Sequence, residues 1–215
     1  MRVLTVVVRS AFSMTNAYFY ADETTGRSFL IDPGAEGDKL LRIAREMGWT
    51  IEKILLTHGH FDHIGGIEAI RKHLSSPVLI HEEGEKYLSN PEMNLSRRCG
   101  TEITIRGARY FRDGERFILS AGHSLKVIHT PGHSQDSVVF YDEAEDVAFV
   151  GDTIFRGSIG ESCYPGGNAK LLMESIKRKI LTLPERTILC SGHSGPTTVG
   201  DEIYVAERKI KHLTT

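Results

Sequence analysis

The sequence predicts a single domain of the α/β (α+β) class, built on antiparallel or mixed sheets. Short apolar strands come first, strands and amphipathic helices then alternate, and no linker or repeat interrupts residues 1–215. The 215 residues are 40% hydrophobic and 25% charged, which is ordinary for a globular domain. This composition excludes disorder, collagen and coiled coil as overall classes.

The first part of the chain predicts a meander of strands followed by two helix–strand units. β-branched and apolar runs predict strands at 3–8, 17–20, 28–31, 51–56 and 77–80. One predicted helix carries an apolar face of Leu40, Leu41, Ala44 and Met47 and ends at Gly48. A second predicted helix carries Ile64, Ile67, Ile70 and Leu74 on one face.

The later part predicts a second group of strands with two more helices. Strands are expected at 116–119, 124–129, 137–141, 147–150 and 187–190, and a helix over residues 171–179. A terminal helix is expected at 201–213, with Ile203, Ala206, Ile210 and Leu213 on one face. Residues 89–116 lack periodicity and carry six arginines. They predict an Arg-rich loop, either a lid over a site or a solvated excursion.

Charge and cysteine usage narrow the function classes. A net charge of -2 provides no basic field that would recruit nucleic acid or anionic lipid, so neither partner is expected. No apolar run approaches the length of a membrane span, and the N-terminal run is too short for a signal peptide. Cys99, Cys163 and Cys190 are widely spaced and suggest no disulfide framework, which predicts a cytoplasmic protein.

The densest group of metal-binding side chains follows the predicted strand 51–56. The sequence there is Thr-His-Gly-His-Phe-Asp-His, which places His58, His60, Asp62 and His63 within six residues. His58 and His60 lie two apart, so an extended backbone points both imidazoles to the same side. Imidazole nitrogens and carboxylate oxygens suit Zn²⁺, Fe or Mn. This loop between a strand and a helix therefore predicts a metal site.

Three further predicted strands end in glycine-bearing turns that each offer one candidate ligand. His133 follows strand 124–129, Asp152 follows strand 147–150, and His193 follows strand 187–190. If these strands share an edge, the three side chains converge on the first cluster. Five histidines and two aspartates are too many for one tetrahedral ion and favour a pair of ions.

The order and spacing of these residues resemble the metallo-β-lactamase superfamily over nearly the whole chain. Within it, the chain is most similar to the small single-domain glyoxalase II-like (hydroxyacylglutathione hydrolase-like) metallohydrolases. That closer likeness rests on residues 151–160 and on Ser-Gly-His-Ser-Gly-Pro-Thr-Thr at 191–198. The resemblance implies a metallo-β-lactamase-like αββα sandwich with the metals at one edge.

The resemblance also implies the ligand roles and the reaction. It assigns His58, His60 and His133 to a first metal, Asp62, His63 and His193 to a second, and Asp152 to a bridge between them. The cofactors would be two divalent ions, zinc first, with iron or manganese as alternatives. A metal-bridging hydroxide would attack a small-molecule thioester or ester, with Asp62 and Asp152 as catalytic residues. Asp62 would also orient that hydroxide, and residual positive charge would stabilise the oxyanion.

Departures from the family concern the substrate. The chain ends before the helical domain that supplies glutathione contacts in glyoxalase II proper, and Glu161 stands where relatives often carry a basic residue. A mononuclear iron persulfide dioxygenase is therefore an alternative, as are a lactonase and a metal-binding module without turnover. Aspartate at 152, where β-lactamases place cysteine, argues against antibiotic resistance.

The remaining histidines and cysteines carry weaker hypotheses. His129 could support His133 from the same strand, or could simply pack. His73, His81, His123 and His212 are expected to be surface or structural residues. Cys190, on an apolar strand, is expected to be a buried small hydrophobe. Cys163 follows the Asp152 loop and could carry a reactive thiol.

Overall fold

The computed structural model describes residues 1–204, and two six-stranded sheets form its centre. The first sheet has the order β1-β2-β3-β4-β5-β6. Its strands are Arg2–Arg9, Met14–Ala21, Arg27–Ile31, Thr50–Leu55, Val78–His81 and Arg109–Phe111. β1 to β3 are antiparallel and β3 to β6 parallel, so this sheet is mixed, as the sequence predicts.

The second sheet has the order β14-β13-β10-β9-β8-β7. Its strands in chain order are β7 (Arg116–Ser120), β8 (His123–His129), β9 (Val138–Asp142), β10 (Val147–Gly151), β13 (Ile188–Ser191) and β14 (Thr197–Thr198). Only β10 and β13 are parallel. A small hairpin of β11 (Ile154–Phe155) and β12 (Ser158–Ile159) follows β10.

Helices cover the outer face of each sheet. α1 (Gly37–Glu46), α2 (Phe61–Ile64), α3 (Ile67–Arg71) and α4 (Glu85–Ser89) follow strands of the first sheet. α5 (Ala169–Ser175) continues into a π-helical segment, Ile176–Ile180, beside the second sheet. Residues 199–204 are helical, and Ile203 packs on the apolar layer over that sheet. Ala206, Ile210, His212 and Leu213 lie outside the described residues.

Three apolar layers explain the αββα order. On β2, Phe19 packs toward the helices of the first sheet, whereas Tyr18 and Tyr20 pack into the layer between the sheets. The central layer joins residues of both sheets, such as Ile31 and Phe140. Burial on both faces of a strand favours continuous apolar sequence over strict alternation. The predicted metallo-β-lactamase fold is therefore confirmed.

The predicted helix over 64–74 is wrong as a continuous element, because Gly65 and Gly66 separate α2 from α3. The amide of Gly66 donates to the carbonyl of Pro33 at 2.8 Å. A Cβ at Gly65 would lie 2.5 Å from the Gly34 carbonyl oxygen. The two glycines thus let the turn after β3 approach the helical segment closely.

Residues 89–116 include a 3-10 turn at Ser96–Cys99 and the edge strand β6. Arginines of this segment pair with carboxylates on the surface: Arg97 with Glu102 at 2.9 Å, Arg112 with Glu82 at 2.8 Å. Arg106 and Arg109 line a cavity beside Pro77, at the start of β5. Within residues 1–204, no helix is both long enough and apolar enough to cross a membrane.

Candidate metal centre

The seven candidate ligands come together at one edge of the two sheets. β4 leads into His58, His60, Asp62 and His63, while β8, β10 and β13 lead into His133, Asp152 and His193. Their ligand atoms form three groups, each within 4.8 Å: His58, His60 and His133; His58, His63 and Asp152; Asp62, His63 and His193. The groups share members, so the seven residues form one cluster.

Backbone hydrogen bonds hold the four ligand loops together. The amide of Val138 donates to the carbonyl of Thr57 at 2.9 Å, which joins the two sheets beside His58. The amide of Gly192 donates to the carbonyl of Gly151 at 2.9 Å, and its own carbonyl accepts from Asn16 at 2.8 Å. The loops therefore hold the ligands on a rigid frame.

The first group presents three imidazole nitrogens to one point. His60 Nδ1 lies 3.1 Å from His58 Nε2 and 2.9 Å from His133 Nε2. His133 Nδ1 donates to the carbonyl of Glu161 at 2.7 Å, so its Nε2 carries a lone pair when the ring is neutral.

His58 has the same tautomer for a different reason. The Thr57 hydroxyl lies 2.6 Å from Asp32 Oδ2 and donates to it, so this hydroxyl accepts from His58 Nδ1 at 3.2 Å. A lone pair therefore remains on His58 Nε2. One N–H on His60 could satisfy only one of the two lone pairs it faces, whereas a cation between the three nitrogens satisfies all of them.

His63 and His193 are oriented in the same way around Asp152. His63 Nδ1 donates to Asp32 Oδ2 at 2.9 Å, and His193 Nδ1 donates to the carbonyl of Met14 at 2.8 Å. Both Nε2 atoms then face carboxylates: His63 lies 3.4 Å from Asp152 Oδ1, and His193 lies 3.2 Å from Asp152 Oδ2. Two imidazoles and a carboxylate that meet in this way hold a cation, which is a proton on Nε2 when no metal is bound and a metal ion when the imidazoles are neutral.

Buried atoms without partners support the same conclusion. Among residues 1–204, His63 Nε2 and Asp152 Oδ1 are buried and make no hydrogen bond. A buried polar atom without a partner costs free energy, and such atoms in a native structure require an explanation. His63 Nε2 and Asp152 Oδ1 face each other across the cluster, and metal ions fit this donor set.

The pKa values show the electrostatic consequence of this arrangement. Burial, reinforced by the neighbouring imidazoles, holds the pKa of His58 well below its usual value. Burial likewise lowers the pKa of His60, to about 3. At His193, burial opposes protonation, but hydrogen bonds to Asp152 and Asp62 raise the pKa to about 10. The cluster thus prefers cationic charge beside its carboxylates and neutral imidazoles in the first group.

Asp32 is a supporting residue that the sequence analysis did not identify. It is buried and accepts from the Thr57 amide at 2.8 Å and from both Thr57 Oγ1 and His63 Nδ1. Its φ of 50° places it in the left-handed region, which aspartate tolerates better than most residues. The Asp-Pro-Gly turn directly after a buried strand is the signal in the sequence that marks this position.

Ser13 and Thr15 are further contacts that the sequence analysis did not identify. The hydroxyl of Ser13 donates to Asp62 Oδ2 at 2.9 Å, and that of Thr15 to the same oxygen at 3.4 Å. Both residues belong to the β1–β2 hairpin, which is distant in sequence from Asp62. No local motif marks them, because the contact depends on the tertiary fold.

A cavity of about 330 Å³ opens over the cluster. Its walls include the apolar side chains of Phe12, Phe61, Leu95, Phe155 and Tyr164. Glu161 also lines it, whereas no lysine or arginine among residues 1–204 does. The segment 89–116 therefore contributes Leu95 to this cavity and none of its six arginines.

The other histidines among residues 1–204 and the three cysteines lie outside the ligand cluster. His129 stacks on buried His81 with ring centroids 4.0 Å apart, and its Nε2 bonds the carbonyl of Gln135 rather than a ligand. Cys190 is buried, and burial raises the pKa of its thiol to about 12, whereas Cys163 is exposed. His73 and His123 lie near surface carboxylates.

An αββα sandwich with a histidine and aspartate cluster at one edge is the arrangement typical of metallohydrolases. The chain belongs to the metallo-beta-lactamase superfamily, whose family model matches residues 11–193. It is 39% identical to the probable metallo-hydrolase YqgX of Bacillus subtilis (strain 168), over 85% of this chain and 86% of that protein. It is 29% identical to the hydroxyacylglutathione hydrolase GloC of Haemophilus influenzae, over 92% and 93% of the two chains.

Solved structures agree with this assignment. The crystal structure of the BLEG-1 B3 metallo-beta-lactamase superposes with a TM-score of 0.88 at 37% identity, over 94% of this chain and 97% of that one. The crystal structure of TTHA1623 in a di-iron-bound form superposes with a TM-score of 0.82 at 35% identity, over 93% and 96%.

Proposed function

We propose that the protein is a dinuclear metal-dependent hydrolase of the glyoxalase II-like type, acting in the cytoplasm on a small-molecule thioester or ester. The observation that carries this proposal is the position of Asp152 between two ligand groups. One group is His58, His60 and His133, and the other is Asp62, His63 and His193. One Asp152 oxygen lies 3.4 Å from His63 Nε2, and the other lies 3.7 Å from His133 Nε2 and 3.2 Å from His193 Nε2. A carboxylate in this position is suited to bridge two ions.

The residues of the chain would divide the work between them. His58, His60 and His133 would hold one ion, and Asp62, His63 and His193 the other, with zinc first and iron or manganese as alternatives. When bound, the two ions would lower the pKa of water and so supply a hydroxide nucleophile at neutral pH. Asp62 would orient that nucleophile, because Ser13 and Thr15 fix the direction of its carboxylate. The di-iron form of TTHA1623 supports a pair of ions.

A substitution at Glu161 tests directly whether the substrate is a glutathione thioester or another thioester. GloC is named as a hydroxyacylglutathione hydrolase, which supports glutathione thioesters as a class. Glu161 lines the cavity, and a like charge near a bound carboxylate costs about fivefold in kcat/KM in a partly exposed site. We therefore expect poor use of S-lactoylglutathione and a gain for Glu161→Lys. An efficient parent enzyme that this change does not improve would contradict the expectation.

A second candidate is β-lactam hydrolysis, which the likeness to the BLEG-1 B3 metallo-beta-lactamase favours and the aspartate at position 152 argues against. Metal content and a substrate panel separate the candidates. Two ions per chain with thioester or ester turnover support the proposed function. Turnover of a β-lactam alone supports the second candidate, and lactone turnover a lactonase. A single iron with persulfide oxidation supports the dioxygenase alternative, and bound metal without any turnover a binding module.

A further inference from the structure

Two cavities meet at His193. The first is the cavity over the ligand cluster. The second, of about 400 Å³, lies between the β1–β2 hairpin and residues 194–196, and its lining includes Thr5, Val7, Met14 and Pro196. The side chain of His193 belongs to both linings. A substrate whose reacting carbonyl faces Asp62 and Asp152 could therefore extend past His193 into the second cavity.

The second cavity has an exposed apolar wall. Val7 is 45% exposed and Met14 57% exposed, and Phe12, at the tip of the same hairpin, is 64% exposed in the first cavity. These are three of the eight exposed large hydrophobic side chains among residues 1–204. Exposed apolar residues grouped beside a candidate active site mark a binding surface rather than chance exposure.

Apart from the metal centre, neither cavity provides a cationic side chain for an anionic substrate arm among residues 1–204. Within these residues, the lining of the second cavity has no lysine, arginine or acidic residue, and that of the first has only acidic residues among its permanently charged groups. Cationic side chains border the second cavity but lie outside both linings. Lys39 donates to the carbonyl of Val7 at 2.9 Å and to Glu36 at 3.1 Å. Arg156 bonds the carbonyl of Pro196, and Arg9 pairs with Met14 across the hairpin. A carboxylate in the second cavity would therefore be desolvated with no cationic partner in the described lining.

We propose that the substrate is an uncharged ester or thioester with an extended apolar arm, and that this arm lies in the second cavity against Val7 and Met14. This proposal rests on the proposed hydrolase function, because it assigns the substrate class of the same site. It places binding energy on the hairpin, away from the reacting carbonyl, where it can orient the substrate.

A chain-length series on the metal-loaded protein tests the proposal. S-acyl-N-acetylcysteamine thioesters from acetyl to octanoyl are the probes, and S-alkyl thioacetates of matched length test the other side of the thioester. In one of the two series, kcat/KM should rise roughly twofold to fourfold per added methylene, since each buried methylene contributes that factor. A flat profile in both series would overturn the proposal, as would a preference for a succinyl over a butanoyl thioester.

Variants of Val7 and Met14 test whether the apolar arm of the substrate lies in the second cavity. Val7→Glu and Met14→Glu should each lower the ratio of long-chain to acetyl kcat/KM about tenfold. Ile118→Glu, at a position 68% exposed on β7, is the matched control and should leave that ratio unchanged. A ratio that Val7→Glu and Met14→Glu also leave unchanged would place the arm elsewhere and contradict the proposal.

A binding measurement separates this proposal from the proposed function. S-Octyl-N-acetylcysteamine, a thioether that cannot be hydrolysed, should bind the metal-loaded protein and should bind Met14→Glu about tenfold more weakly. Hydrolysis of the acetyl probe without thioether binding overturns the apolar arm alone. Thioether binding that Met14→Glu weakens, without hydrolysis of any probe, overturns the proposed function and leaves the apolar cavity supported.

Discussion

Asp32 Oδ2 lies 2.9 Å from His63 Nδ1, and the same oxygen accepts the Thr57 hydroxyl at 2.6 Å. One buried carboxylate thus sets the tautomer of His63 directly and that of His58 through Thr57. His58 belongs to the group with His60 and His133, and His63 belongs to the group with Asp62 and His193, so Asp32 supports both groups at once. Partners of this kind typically change metal affinity or activity by 10- to 100-fold when they are replaced.

Replacing Asp32 should therefore weaken metal binding without removing a ligand. We expect Asp32→Asn to lower metal affinity or activity about 10- to 100-fold, because the amide carries no negative charge and its nitrogen cannot accept a hydrogen bond, so it accepts at one position where the carboxylate accepts at two. Competition with a chelator measures the affinity. Asp38→Asn is the matched control, since the Asp38 side chain is 82% exposed. Equal affinity in the two variants would show that Asp32 does not support the ligands.

His60→Ala should lose metal and most activity, because His60 Nδ1 stands between His58 Nε2 and His133 Nε2. Metal content per chain and turnover are the measurements. His73→Ala is the control, because that side chain is 51% exposed and lies outside the ligand groups. A His60→Ala protein that keeps two ions and full turnover would show that the ligand assignment is wrong.

Asp62→Asn should lower kcat even when both metal positions are filled. The hydroxyls of Ser13 and Thr15 fix the Asp62 carboxylate, and a carboxylate that orients a nucleophile or accepts its proton contributes on the order of 100-fold or more. The variant is reconstituted, its metal is quantified, and kcat is compared at equal occupancy. Normal kcat at full occupancy would rule out the orienting role and leave Asp62 as a ligand only.

Gly192→Ala should displace the ligands by a steric clash, without removing any ligand. A Cβ at position 192 would lie 2.3 Å from Asp152 Oδ1 and 2.7 Å from His63 Cε1, so one of them must move. We expect at least tenfold weaker metal binding, because ligand geometry tolerates little displacement. Gly195→Ala is the control in the same loop, since its Cβ would meet only the Arg156 guanidinium at 3.4 Å. Metal titration of both variants decides whether the prediction holds.

Asp136→Asn should change how stability depends on pH. Burial raises the pKa of the Asp136 carboxyl from 3.8 to about 6, against the opposing effect of weak contacts with Ser134 and the Gly59 backbone. The folded protein then keeps this proton to a higher pH than the unfolded chain does. The carboxyl accordingly destabilises the fold progressively as the pH rises through this range, and the full cost is present above about pH 6.

Asparagine at this position does not titrate, so the variant avoids that cost. The free energy of unfolding of Asp136→Asn relative to the parent should increase between pH 4 and pH 7, by up to about 3 kcal/mol. Urea denaturation of the metal-loaded proteins at several pH values measures this difference. A difference that stays constant over this range would show that the Asp136 pKa is not raised.

The order of elements and the positions of the candidate ligands could be predicted from the sequence because both are local properties. Apolar periodicity marks β4 and β10, and the glycine-bearing turns directly after them carry His58 and Asp152. The prediction of a continuous helix over 64–74 was wrong because Gly65 and Gly66 pack closely against the turn at Pro33, which belongs to another part of the fold. Local periodicity contains no information about such a contact.

The sequence by itself determined the fold class and a pattern of histidines and aspartates suited to metals. Both could be recognised because strand periodicity and ligand spacing depend only on residues that are close together in the sequence. Only the tertiary structure decided which groups surround that pattern. It placed Asp32 behind His63, it brought Ser13 to Asp62, and it left the arginines of 89–116 away from the cavity. The physical reason is that hydrogen bonds, burial and charge compensation act between atoms that are close in space, whatever their separation along the chain.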